Sequence, residues 1–105
     1  MKKNLKKELR LKSGEVYPIG TAFEIIPPAQ DKPFIVQLVG PADRKITINT
    51  AKLGRYFKGF VNPTAEMMDP DFDSCIVPSM LGHNVEPDGW DEKGFPSILL
   101  AIGMI

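Results

Sequence analysis

Ten prolines and nine glycines in 105 residues cut the chain into short pieces, which leaves little room for long helices. Proline has no backbone N–H, so a run such as Pro27-Pro28-Ala29-Gln30-Asp31-Lys32-Pro33 cannot continue a ladder and reads as an exposed loop. Ser13-Gly14, Pro18-Ile19-Gly20 and Gly40-Pro41-Ala42-Asp43 are further turn signals. What these breaks leave between them is strand-sized.

Three pieces have strand character. Thr21 to Ile26 places Phe23 and Ile25 on one face. Phe34 to Val39 is nearly continuous in apolar residues, as expected for a strand covered on both faces. Arg44 to Asn49 alternates, with Ile46 and Ile48 opposite Lys45, Thr47 and Asn49. The last two, joined by four residues, predict a β-hairpin. Two readings stay open for the basic start: a frayed helix over residues 2–10 with Leu5 and Leu9 one turn apart, or an edge strand from Glu8 to Lys12.

Short helices follow. Asn49 or Thr50 can cap one over Ala51 to Phe57, with Leu53, Tyr56 and Phe57 on one face and Gly54 weakening it. A second starts at Pro63 or Thr64 and runs through Met68. A third has Pro96 at its first position, Ser97 to Ile102 as its body and Gly103 at its end. The tail Met104-Ile105 is apolar and is expected to dock on the core.

The strand TAFEII after Gly20-Thr21, the hairpin FIVQLV/RKITIN and the one-turn helix AKLGRYF resemble, over residues 15–57, SH3-like small barrels of the tudor and KOW kind. An oligonucleotide-binding-type barrel fits the strand count nearly as well. No aromatic cage maps onto this sequence, so the resemblance implies a fold and no site. The expected class is mainly β with some α: a small SH3-like or related barrel with short helices. Residues 1–105 form one domain on this reading, with a basic segment (1–12), a barrel-like part (13–60) and an acidic, loop-rich part (61–105) ending in a short helix. A chain of this length buries a little over ~60% of its unfolded surface, enough for one core.

A hydrophobic fraction of 43% against 25% charged residues is that of a globular protein. One cysteine, Cys75, excludes an intrachain disulfide framework and favours a reducing compartment. The basic start lacks the apolar stretch of a secretory signal, and the longest apolar run, 98–102, is far short of the ~20 residues that span a bilayer. The expectation is a cytoplasmic protein with no membrane contact.

Formal charge is zero but segregated. Residues 1–60 carry twelve Lys/Arg and five Asp/Glu, a net of +7, and residues 61–105 carry one cation and eight acids, a net of −7. The plain explanation is mutual attraction of the two halves on packing. The functional one is that each pole is a partner surface.

Candidate chemistry is sparse. Asp69, Asp71 and Asp73 have the spacing that opens an EF-hand loop, but Ser74 and Met80 stand where that loop needs Gly and Glu. Cys75 and His83 supply neither close ligand pair of a zinc site, and Cys75 beside Ile76 and Val77 reads as a small buried hydrophobe. No glycine-rich phosphate cradle is present. No cofactor, metal or catalytic residue is assigned.

Two binding surfaces remain. The first is acidic, Asp69, Asp71, Asp73, Asp88 and Asp91, with Trp90 as an aromatic anchor if it is exposed, although a lone tryptophan in a small domain more often packs in the core. Its partner would be a protein, and this non-catalytic interaction or accessory role is the leading reading. The alternative is a nucleic-acid surface of Lys6, Lys7, Arg10, Arg44, Lys45, Lys52, Arg55 and Lys58, interleaved with Tyr56, Phe57 and Phe60. A small enzyme or metal site around Asp69, Cys75 and His83 is the third.

Overall fold

The computed structural model describes residues 1–72 and 75–104. Their eight strands and three short helices are β1 (Lys2–Asn4), β2 (Leu9–Arg10), β3 (Val16–Tyr17), β4 (Ala22–Ile26), β5 (Ile35–Val39), β6 (Lys45–Asn49), α1 (Leu53–Tyr56), α2 (Pro63–Met67), β7 (Val77–Pro78), β8 (Asn84–Val85) and α3 (Ile98–Ala101). The fold is small and β-rich. No helix among the described residues is long and apolar enough to cross a membrane.

An antiparallel sheet of order β1-β4-β5-β6 carries the first half. The predicted hairpin is its centre, with Val36 opposite Ile48 and Leu38 opposite Ile46. Its loop turns through Ala42 and Asp43, both at left-handed φ (57° and 59°), which suits the right-handed twist of the strands it joins. Phe23 and Ile25 of β4 point inward with Val36 and Leu38, all at most 1% exposed. Gly40 leaves space for the Phe23 ring: a Cβ there would stand 2.6 Å from its Cε1.

β5 departs from the expected strand covered on both faces. Only one face is covered: Val36 and Leu38 are buried, and Gln37 between them is exposed. The outer face of the sheet, with Ile26, Gln37 and Thr47 in one cross-strand row, is open to solvent.

The sheets are not closed into a barrel. β2 pairs with β3 in a separate two-stranded ribbon instead of completing the main sheet, and β7 pairs with β8 in another. After β6 the chain turns into a 3-10 turn at Thr50–Lys52 and then α1. The carbonyl of Tyr56 in α1 accepts from the Lys6 N–H at 2.8 Å. That helical corner takes the place a closing strand would need.

Residues 2–12 contain the short strands β1 and β2 and no helix. Leu5 and Leu9 are both buried, one just beyond β1 and the other opening β2, with a bend between them. α1 buries Leu53 and Phe57 and leaves Tyr56 partly exposed. Gly54 is a site of close approach: a Cβ there would stand 2.5 Å from the Val61 carbonyl oxygen. Thr50 does not cap the helix. Its buried hydroxyl donates to the Pro33 carbonyl at 2.8 Å and ties the proline-rich loop to the helical corner. Asn62 caps α2, its side-chain oxygen accepting from the N–H groups of Thr64 and Ala65.

The core cluster takes residues from both halves of the chain. Phe60, Val77, Met80, Phe95, Ile98 and Leu99 pack in it with the inner face of the sheet. Edge-to-face ring pairs run through it: Tyr17–Phe23, Phe23–Phe57 and Phe60–Phe95, at 5.2, 6.3 and 5.2 Å between centroids. Burial of Phe23, Phe57 and Phe95 is complete, and truncating such a ring to Ala costs about 3–5 kcal/mol.

α3 begins two residues later than the proline suggests. The Ser97 hydroxyl accepts from the Leu100 N–H, making Ser97 the cap and leaving Pro96 outside the helix. At the other end Gly103 adopts φ 77°, and the N–H groups of Gly103 and Met104 donate to the carbonyls of Leu100 and Leu99. This paired closure uses the freedom of glycine at left-handed φ. Met104 does not dock as expected, being 62% exposed, and Ile105 lies outside the described residues.

Candidate functional site

The acidic half is organised by two buried serines. Ser79 follows β7 and pairs in an isolated bridge with Ser97. Its hydroxyl donates to Asp91 Oδ2 at 2.6 Å and accepts from the N–H groups of Leu81 and His83. Asp91 Oδ1 accepts from the N–H groups of Lys93 and Phe95, at 2.9 and 3.0 Å. The Ser97 hydroxyl donates to the Pro87 carbonyl, and its N–H donates to the Gly89 carbonyl at 2.9 Å. β7–β8, the turn at 86–89, the turn at 91–94 and the start of α3 are thereby locked together.

This framework changes the reading of Asp91. Expected as part of an acidic docking surface, it is half-buried and its carboxylate is taken up by three internal donors. A carboxylate with its acceptor sites filled by the fold is a structural group. Asp69, Asp71 and Asp88 are exposed, as a docking surface requires. The Asp69 side chain also accepts from the Asp71 N–H at 2.9 Å. Asp73 lies outside the described residues.

Trp90 is half-buried and lines an open cleft of about 510 Å³. Its other walls are Ile76, Asn84, Val85, Glu86 and Gly89. Ile76 is 58% exposed. The 86–89 turn, closed by the Gly89 N–H on the Glu86 carbonyl at 2.8 Å, sets Glu86 beside the indole and leaves Asp88 in solvent.

Cys75 and His83 are each next in sequence to a wall residue of this cleft, yet neither lines it. Cys75 is exposed, which corrects its reading as a buried hydrophobe. Among the described residues no group of three or more His, Cys, Asp or Glu side chains is placed to hold a metal ion.

The basic half forms a different cleft. Arg10 and Lys12 on and after β2, Thr47 and Asn49 on β6, Lys52 in the 3-10 turn and Tyr56 in α1 line about 430 Å³. The eight lining residues include three cations and no acid. Of the basic residues expected to share a surface, the structure brings Arg10 and Lys52 together here and adds Lys12. Lys6, Lys7, Lys45, Arg55 and Lys58 are exposed but do not line it. Phe57 and Phe60 are buried, so of the three interleaved aromatics Tyr56 alone reaches the cleft.

Arg44 is occupied elsewhere. Its guanidinium grips Glu15 through two nitrogens, with Nε 3.2 Å from Oε2, and the Tyr17 hydroxyl donates to the same carboxylate at 2.7 Å. The Arg44 hydrogen bond, followed by that from Tyr17, pulls the Glu15 carboxyl down from 4.5 to about 2. The hydrogen bond that Tyr17 donates to Glu15 in turn raises the Tyr17 phenol.

The attraction expected between the two charged halves is not expressed as ion pairing among the described residues. Among the described residues the ion pairs are Met1–Glu24, Arg10–Glu8 and Arg44–Glu15, all within residues 1–44.

Exposure of Ile76 and the framework role of Ser79 were not singled out from the sequence. Asp91 with Gly94 three residues later did carry a turn signal, and the Gly94 N–H does donate to the Asp91 carbonyl at 3.1 Å. No family model matches the chain, and no curated protein or solved structure matches it.

Proposed function

We propose that the protein is a non-catalytic interaction module that holds a cationic segment of a partner protein at its acidic pole, with an apolar side chain of that segment seated against Trp90. The observation that carries this reading is the Trp90 cleft itself: an indole, Ile76 and Val85 open to solvent beside Glu86, with Asp88 exposed on the same turn. Aromatic residues in half-open pockets are the usual anchors of protein interfaces. Acids left without ion pairs around such an anchor favour a basic partner and speed its encounter.

An accessory role in the cytoplasm is the setting this reading implies, supported by the lone cysteine and the absence of a disulfide framework. The β4–β5–β6 meander and the helical corner that follows it are what support an SH3-like relationship.

The chain has one tryptophan, so its fluorescence reports on the site directly. Titration with a short Lys/Leu peptide is expected to change Trp90 emission in a salt-sensitive way, whereas a Glu/Leu peptide leaves it unchanged. A Glu86→Lys, Asp88→Lys double variant should weaken the Lys/Leu peptide at least about tenfold, since like-charge juxtaposition costs several kcal/mol. Equal response to both peptides, or no response to either, would refute the reading.

A further inference from the structure

We infer that the basic cleft is a second, independent site, and that it takes single-stranded nucleic acid. Three features of the cleft point to a nucleotide unit. Arg10, Lys12 and Lys52 converge on it with no acid in its lining. The side chains of Thr47 and Asn49, on the exposed face of β6, offer a hydroxyl and an amide within the same walls. Tyr56 presents a partly exposed ring among the cations. Cations track phosphates, and a ring stacks on an unpaired base of any sequence.

The acids close by in sequence do not oppose this. Glu8 is paired with Arg10 Nε at 2.9 Å, an exposed single contact worth little that a phosphate can compete for, and Glu15 is held by Arg44 and Tyr17. The surface also continues beyond the cleft. Thr47 lines a neighbouring hollow of about 270 Å³ on the outer face of the sheet, with Ile26, Pro27, Lys32, Ile35 and Gln37. A strand leaving the cleft over Thr47 therefore meets apolar surface for a second base and Lys32 for a further phosphate. A duplex has its bases stacked inside and cannot use either the Tyr56 ring or the apolar hollow.

Magnitudes follow from the cations. Three phosphate contacts give a slope of log affinity against log salt of about −2 for a single strand, and a fourth at Lys32 brings it to about −3.

The test is fluorescence anisotropy with a labelled ten-nucleotide oligo-dT at several salt concentrations, set against a blunt duplex of the same length. Salt-sensitive binding of the single strand, stronger than that of the duplex, is expected. Lys12→Glu with Lys52→Glu should weaken it at least about tenfold and flatten the salt slope, each lost contact contributing about 0.7. Tyr56→Leu, which keeps apolar bulk at the corner, should weaken it about fivefold or more without changing the slope. Lys7→Glu with Lys58→Glu, exposed residues outside the cleft, should have a markedly smaller effect. Absence of binding at low salt, equal loss from the outside pair, or a duplex bound as tightly would each overturn the inference. All of these outcomes are independent of the Trp90 cleft, which the Glu86 and Asp88 variants probe separately.

Discussion

Replacing Asp91 with alanine removes the one carboxylate that joins β7, the 91–94 turn and the segment leading into α3. Its three hydrogen bonds are not equivalent. The bond to the Lys93 N–H is exposed, and water can replace it. The bond to the Phe95 N–H is partly buried, and the bond from Ser79 involves a residue with no exposure at all. A hydrogen bond to a charged acceptor contributes about 1.5–3 kcal/mol net, and a buried donor stranded without a partner costs about 1–3 kcal/mol. Because one loss is solvent-compensated and the others share a partner, the expected total is about 3 kcal/mol, a large fraction of the 5–15 kcal/mol that holds a domain of this size.

Chemical denaturation followed by Trp90 fluorescence reads this loss directly, and the indole lies next to the perturbed residue. The melting temperature should fall by about 12 °C or more. Asp91→Asn, which keeps an acceptor for the two backbone donors and loses the charge, should cost roughly half as much. Asp88→Ala should change stability by less than about 0.5 kcal/mol, because Asp88 is an exposed surface residue. An Asp91→Ala variant as stable as the Asp88→Ala variant would refute the framework role of the Ser79–Asp91 pair.

The Glu15–Arg44 pair makes a pH-dependent contribution. A carboxyl whose folded value lies below its unfolded one stabilises the fold above the unfolded value and loses that contribution as pH falls through the folded value. The window is therefore from about 4.5 down to about 2, and a carboxyl-resolved NMR titration should find the Glu15 midpoint near 2 in the native chain and moved upward in Arg44→Gln, though still below 4.5 because the Tyr17 hydrogen bond remains. Gly54→Ala tests the close approach at α1. In an exposed helix the change would stabilise by up to about 1 kcal/mol. Here the added Cβ meets the Val61 carbonyl oxygen at 2.5 Å, so a loss of about 1–3 kcal/mol in urea denaturation is expected, and a gain would show that the 60–61 backbone moves aside freely.

Local chemistry made the centre of the fold legible. The alternation in 44–49, the turn residues at 40–43 and the spacing of Phe23 and Ile25 are short-range signals, and the structure follows them. Barrel closure was not legible, because it depends on which strand meets the free edge of β6. That decision is made by the pairing of β2 with β3 and by the helical corner at 50–56. Leu5 and Leu9 suggested a helical turn because a four-residue spacing also arises when a bend separates two strands. Pro96 misplaced the start of α3 by two residues, since a proline suits the position before a serine cap as well as the one after it.

At the candidate sites the sequence could group residues by charge but not by role. Asp88 and Asp91 look alike in a run of acids, yet one faces solvent and the other is held by Ser79, twelve positions away. Arg44 and Lys52 look alike among the cations, yet one is taken by Glu15 and the other faces an open cleft. Both distinctions are made by tertiary partners that no local pattern announces.

The most direct test of the acidic-pole interaction is amide and indole chemical-shift mapping by NMR on the intact chain, with the Lys/Leu peptide added in steps. Binding as proposed predicts saturable shifts at the Trp90 indole N–H and at the amides of 76 and 84–90, with those around Arg10, Lys12 and Lys52 unmoved. Absence of shifts at Trp90, or shifts spread evenly over every acidic residue, would contradict it.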